Sequence, residues 1–294
     1  MATVEQELKS LEIQKQLVEY KGEDRVIPAE ELLAELRKDN KEKKFYNTKF
    51  DLLNGIVGGF RRGQVVIISA ATGQGKTSWA QTITKHFIEQ GEKCLWFSYE
   101  VGPEDFLEKM PNGIIKFWMP RQIKQNSLLW LKNRVLEGIA KYNSRIIFID
   151  HLHYLLEMQK MAEAKSLPIL IGMLLRDLKR LSIEHDVLIF LISHMKKTEM
   201  NEKPELDDLR DSSFVAQESD CVIMLWRETV KEFGETFLTN KVRVSVKKNR
   251  RTGKLGTIMM EYRDNEFFEI EEIKAQQKNY SDYYNDDRVD FKIP

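Results

Sequence analysis

The chain has 294 residues, and its 46 Lys+Arg balance 46 Asp+Glu to a formal net charge of zero. With 42% hydrophobic and 31% charged residues it holds enough apolar material for a core, which excludes wholesale disorder; charge balance excludes a generally basic nucleic-acid coat but leaves room for a local basic surface. No basic-then-apolar leader opens MATVEQELKS, and apolar runs such as VLIFLIS fall far short of the roughly 20 residues that span a bilayer, so a soluble, intracellular chain is expected, with Cys94 and Cys221 as core thiols rather than a disulfide or a metal site.

Residues 1–44 form a charged arm. Leu8, Leu11, Leu17 and Val18 can line a first helix; PAEELLAELRKDNK reads as a second, with Pro28 in its first turn and Leu32, Leu33 and Leu36 as its stripe. Helices this short cannot bury a stripe alone, so they pack on the main domain or on a neighbouring subunit. From residue 45 the texture changes. VVIISA (65–70), CLWFSY (94–99), IIKFWM (114–119), RIIFID (145–150) and VLIFLIS (187–193) read as strands buried on both faces, with helices over about 76–90, 125–142 and 164–185 between several of them. That alternation predicts an α/β fold with a mostly parallel sheet flanked by helices. CVIMLW, KVRVSVKK, GTIMMEYR and FFEI follow as antiparallel strands added at its edge. Residues 45–270 thus read as one domain, and 271–294 as a flexible acidic and aromatic tail.

The strongest chemical signal is ATGQGKTS, between the strand VVIISA and a helix. In the segment Thr72, Gly73, Gln74, Gly75, Lys76, Thr77 and Ser78, the glycines let backbone N–H groups turn around phosphates. Lys76 supplies a cation to the terminal phosphates, and the Thr77 hydroxyl can ligate Mg²⁺. Ala70 stands where the usual pattern has its first glycine. Asp150 ends a buried strand at the same sheet edge and can hold Mg²⁺ opposite Thr77. Glu100, ending CLWFSYE, can polarise the water that attacks the γ-phosphate, and His194, ending VLIFLIS, can sense that phosphate. His151 and His153 invite a metal reading, but the sequence adds no further ligand cluster. KVRVSVKKNRRTGK packs seven cations into fourteen residues; Lys248, Arg250 and Arg251 lie where the strand turns and can reach a phosphate in an adjoining subunit.

Taken in order, ATGQGKTS, WFSYE, IIFIDHLHYL, LISHMKK, DLRDSSFVAQESDCVIMLWRE and KNRRTGKLGTIMMEYR resemble the RecA-fold motor domain of the hexameric replicative helicases: the DnaB family, the phage primase–helicases and the mitochondrial helicase Twinkle. The resemblance runs from about Phe50 to Phe268. It implies a P-loop ATPase that hydrolyses ATP or another NTP or dNTP with Mg²⁺. Glu100 would be the catalytic glutamate and Asp150 the Walker B aspartate. Arg250 would be an arginine finger inserted in trans, with Lys248 beside it. His194 favours the phage-like branch. Arg227 and Tyr262 match positions that sandwich the base, with packing roles open as well. DLRDSSFVAQESD resembles the channel loop, making Arg210, Asp211, Ser212 and Ser213 candidates for DNA contact; Lys196 and Lys197 either contribute or form a solvated pair, and Glu157–Ser166 is a second channel candidate.

The same resemblance implies a homo-oligomeric ring, expected to be hexameric, that travels on single-stranded DNA (5′→3′) and opens forked duplex. The PAEELLAELRK helix resembles the family's linker helix, and 44 residues are too few for the usual N-terminal collar. The tail is a candidate for polymerase or primase contact. A bacterial or phage-infected cytoplasm is expected ahead of a mitochondrial matrix. Alternatives on the same fold are a RecA/RadA-type recombinase and a KaiC-like nucleotide switch.

Overall fold

The computed structural model describes residues 12–22, 25–38, 44–113, 116–123, 127–151, 167–195, 203–209, 215, 217–232 and 235–270. The chain divides into two units, Met1–Lys44 and Phe45–Pro294. In the first, residues 12–18 form α1 and Ala29–Lys38 form α2, with Glu30 and Glu31 in its first turn, where carboxylates favour the helix dipole. Leu32 and Leu33 of α2 are each about half exposed.

The second unit is built on one eight-stranded sheet in the order β2-β3-β4-β1-β5-β6-β7-β8. Its strands are β1 (Val65–Ala70), β2 (Cys94–Ser98), β3 (Ile146–Asp150), β4 (Leu188–His194), β5 (Cys221–Glu232), β6 (Glu235–Asn249), β7 (Gly256–Arg263) and β8 (Glu266–Glu269). The pairs from β2 through β5 are parallel and those from β5 through β8 antiparallel. Helices α3 (Asp51–Val57), α4 (Lys76–Glu89), α5 (Pro103–Glu108), α6 (Leu128–Tyr142) and α7 (Leu167–Glu184) cover it.

Alternate residues of each central strand feed two cores, because successive side chains point to opposite faces. On one face Ile68, Trp96, Phe148 and Phe190 pack with Phe50, Trp79 and Phe87. In-register neighbours Trp96, Phe148 and Phe190 stack there at 4.7 and 4.8 Å with rings 7° and 9° from parallel. On the other face Ile67, Phe97, Ile149 and Leu191 meet Leu131 and Val135 of α6 and Leu174 and Leu178 of α7. Burial on both faces is why β1 to β4 open as continuous apolar runs rather than alternating, with polar residues confined to their carboxyl ends. Cys94 and Cys221 are both buried thiols. No described helix is long and apolar enough to cross a membrane.

Two expectations need correction. In the described part of IIKFWM, residues 116–119 form no strand of the sheet: Trp118 makes a single bridge to the β2 edge, exchanging main-chain bonds with Cys94 and Trp96 at 3.0 and 2.8 Å. Its apolar character comes from Phe117 and Met119 packing on the core from outside the ladder. In addition, β5 and β6 run on past Trp226 and back before Lys241 as a hairpin pairing Thr229 with Leu238 and Lys231 with Thr236. Val230 and Phe237 are exposed there, so no buried face left an apolar alternation to read.

Candidate nucleotide site

β1 is central, and its carboxyl end opens into the phosphate-loop segment before α4. Gly73 and Gly75 adopt φ of +78° and +90°, left-handed values that a residue with Cβ takes only under strain. Gly75 is also closely backed, since a Cβ there would stand 3.1 Å from the Phe267 ring. Gly75 O then accepts from Trp79 N at 2.9 Å, starting the helix. Lys76 is buried, and its ammonium donates to Ala70 O and Ala71 O at 3.1 and 3.0 Å. Burial lowers its pKa, opposed by Asp150 and Glu100.

Asp150 ends β3, two strands from β1. Its Oδ2 accepts from the Thr77 hydroxyl at 2.6 Å, while buried Oδ1 has no hydrogen bond among the described residues. Burial raises the Asp150 pKa to about 6, the Thr77 hydrogen bond pulling it down and Glu100 pushing it up. A buried carboxylate oxygen left without a donor, next to a hydroxyl, is the hard-oxygen set that Mg²⁺ takes alongside substrate phosphates. These residues therefore fit the ion that the motif implies.

Glu100 follows β2, and His194 closes β4. Glu100 Oε2 lies 3.8 Å from His194 Nε2 and 3.8 Å from His151 Nδ1, the two imidazoles meeting edge to face at 4.3 Å. Glu100, His151 and His194 offer ligand atoms all within 4.8 Å of one another. His151 is thus a neighbour of the carboxylate assigned to the attacking water. The sequence could not show this, because it pairs His151 with His153 rather than with a residue just past β2 and one at the end of β4.

A cavity of about 310 Å³ joins these groups. Residues 72–78, Glu100, Asp150, His194, Arg227 and Tyr262 line it, as do Gln81, Phe106, Lys109, Val242 and Phe267, which the sequence did not single out. Arg227 sits at a register shift between β5 and β6; its N–H donates to Gln74 Oε1 and its Nε–H to Thr239 O, both at 2.7 Å. A bulge of this kind re-aims a side chain beside a site. Tyr262 and Phe267 pair across β7 and β8 with rings 4.9 Å apart. Phe267 N–H donates to Thr82 Oγ1, and Lys85 pairs with Glu266 at 2.6 Å, so the last described strand, four places from β1 in the sheet, is held on α4. Nothing local in FFEI announces that return.

Lys248 and Arg250 are not among the residues lining the cavity. They stand at the end of β6 and its turn. Lys248 Nζ donates to Ser219 O at 2.6 Å and Arg250 Nη2 to Gln217 O at 2.7 Å. Lys196, Lys197, Arg210, Asp211, Ser212, Ser213, the stretch 157–166 and the tail 271–294 lie outside the described residues.

A family model described as the DnaB-like helicase C terminal domain matches residues 46–119 and 119–271. The replicative DNA helicase DnaC of Bacillus subtilis (strain 168) is 24% identical over 248 residues, covering 73% of this chain and 54% of that protein. The replicative DNA helicase DnaB of Haemophilus influenzae is 21% identical over 270 residues, covering 81% and 57%. The chain therefore spans a little over half the length of these curated relatives. Among solved structures, one described as an ATPase domain aligns with a TM-score of 0.69 at 21% identity, over 83% of this chain and 99% of that one. A DnaB-like replicative helicase, from a study of its interactions with primase, aligns with a TM-score of 0.66 at 20% identity, over 91% and 72%. The likeness in structure is one of fold, and it matches the expected RecA-like α/β architecture with antiparallel C-terminal strands.

Proposed function

Because the chain belongs to the DnaB-like helicase C-terminal domain family, we propose that it is the ATP-hydrolysing motor of a ring-forming replicative DNA helicase, translocating 5′→3′ on single-stranded DNA and opening forked duplex. One observation carries the reading: the cavity joins a phosphate loop, the Thr77–Asp150 pair, Glu100 and His194, yet the cations Lys248 and Arg250 of the same chain lie off its wall. A site of this kind is completed when a second copy brings its own cations to the phosphate, which makes a ring, expected to be hexameric, part of the chemistry rather than an accessory.

In this reading the N–H groups around Gly73 and Gly75 and the Lys76 ammonium hold the β- and γ-phosphates, Lys76 leaving its loop carbonyls to do so. Thr77 and Asp150 would hold Mg²⁺, which when bound would supply charge neutralisation on the phosphoryl oxygens. Glu100 orients and deprotonates the attacking water. His194 touches the γ-phosphate and registers its loss. Arg227 and Tyr262 flank the base. Arg250 of the neighbouring subunit stabilises charge on the transferring group, a contribution of about 10³–10⁵ in rate where such fingers have been measured. Lys196, Lys197 and residues 210–213 are the DNA-contact candidates, α2 is the candidate for docking on the next subunit, and the tail is the candidate for polymerase or primase contact. A bacterial or phage-infected cytoplasm is the setting that fits these partners.

The test is strand separation of a forked DNA duplex by the wild type, Glu100→Gln and Arg250→Ala. Separation that needs a 5′ tail and is lost in both variants is expected. DNA-stimulated hydrolysis without separation would favour the recombinase, and hydrolysis indifferent to DNA the nucleotide switch.

A further inference from the structure

We propose that Asp220 is a positioning residue for Arg250, fixing its guanidinium so that it reaches the nucleotide site of the adjoining subunit; this rests on the reading of Arg250 as a finger acting in trans. Asp220 immediately precedes β5. Its Oδ2 accepts from Val65 N–H at 2.8 Å and from Lys179 Nζ at 2.6 Å, tying the carboxylate to the first residue of β1 and to α7. Its main chain is tied as well, Asp220 N–H donating to Val65 O at 2.9 Å and Asp220 O accepting from Arg250 N–H at 2.8 Å.

The remaining oxygen faces the finger, with Asp220 Oδ1 3.7 Å from Arg250 Nη1. The residues just before Asp220 supply the other acceptors. Gln217 O takes Arg250 Nη2 at 2.7 Å and Lys248 Nζ at 3.3 Å, and Ser219 O takes Lys248 Nζ at 2.6 Å. The Asp220 side chain is only 8% exposed, whereas that of Arg250 is 53% exposed. The arginine is thus anchored along one edge, and a guanidinium with five N–H donors keeps others for a phosphate. A surface arginine without such an anchor gives up rotamer freedom at each productive encounter. Two cations side by side also repel: burial and Arg250 lower the Lys248 pKa, and Asp220 acts against that shift.

Lys179 is the second part of the device. Its ammonium also donates to Gly63 O at 2.6 Å, so Asp220 is braced by a group itself fixed to the chain ahead of β1.

The experiment is ATP hydrolysis by the assembled full chain with saturating single-stranded DNA, alongside ATP binding and thermal melting. Asp220→Asn, nearly isosteric, is expected to lower kcat about ten- to a hundredfold at unchanged ATP affinity, the scale of a small misplacement of a catalytic group. In an Arg250→Ala background it should lower kcat no further, because both changes act through one side chain. Lys179→Met, which leaves the finger and its carbonyl acceptors in place, should give a smaller fall with the same non-additivity, and it decides the question if Asp220→Asn does not fold. Wild-type kcat in a folded Asp220→Asn protein, weakened ATP binding, or a further fall in the double variant would overturn the proposal. If Arg250→Ala itself keeps wild-type kcat, the finger reading fails and the proposal with it. That result differs from an inactive Arg250→Ala beside an active Asp220→Asn, where positioning alone fails.

Discussion

At one end of the cavity, Lys76, Thr77, Glu100, Asp150 and His194 stand on or beside the carboxyl ends of four parallel strands and the helix after β1; at the other, Arg227, Val242, Tyr262 and Phe267 come from four antiparallel strands. The first group inherits its geometry from the most buried part of the sheet, whose strands cannot shift without disturbing two cores. The second depends on a bulge at Arg227, a cross-strand ring pair and the docking of β8 on α4. In the proposed function, central strands thus hold the groups whose chemistry must be accurate, and edge strands the contacts that can adapt.

The largest test of this contrast is Asp150→Asn. Loss of the carboxylate proposed to hold Mg²⁺ should lower kcat by about 10²–10³, the cost of removing one electrostatic contact to the reacting group, read by steady-state hydrolysis. The same change should stabilise the nucleotide-free protein at neutral pH. With its pKa raised from 3.8 to about 6, Asp150 binds a proton more tightly folded than unfolded. Its contribution to stability is full below about pH 4 and is lost as pH rises through 6, a difference on the order of 3 kcal/mol. Urea unfolding at pH 4 and at pH 8 should therefore show the Asn variant gaining only at the higher pH. Equal effects at both would mean the carboxylate is solvated in the free protein.

A smaller effect probes the far end. Lys85 and Glu266 are 12% and 8% exposed, and Lys85→Met removes the ammonium that faces a buried carboxylate, expected to cost roughly 3 kcal/mol in denaturant unfolding. Adding Glu266→Leu should recover most of it; no recovery would show that β8 is held by something other than this pair. Smallest is Tyr262→Ala, expected to weaken nucleotide binding by about 1 kcal/mol, near fivefold, with little change in kcat. A large fall in kcat instead would erase the division of labour between the two ends.

The same contrast explains what could be read in the sequence. β1 to β4 are legible because burial on both faces leaves unbroken apolar runs, and the phosphate loop because its glycines, lysine and threonine are contiguous. The described part of IIKFWM, residues 116–119, misleads for the converse reason: apolar residues that pack beside the sheet look like ones that lie in it. The neighbourhood of Glu100 and His151, the backing of Gly75 by Phe267 and the anchoring of Arg250 by Asp220 each join residues far apart in the chain. No local pattern encodes such pairs, since hydrogen bonds to main-chain carbonyls like Gln217 O require no particular side chain.

The contact between Phe267 and Gly75 also bears on the order in which the molecule is completed during synthesis. The phosphate loop is made early, but the ring that backs it, the Thr82 hydroxyl's main-chain partner and the Glu269 carboxylate that accepts from Leu52 N–H and Leu53 N–H at the start of α3 all belong to β8. Chains emerge at about 5–20 residues per second, so a nascent subunit carries its binding loop for many seconds before that loop has its floor. The final form of the nucleotide cavity is thereby tied to near-completion of the domain.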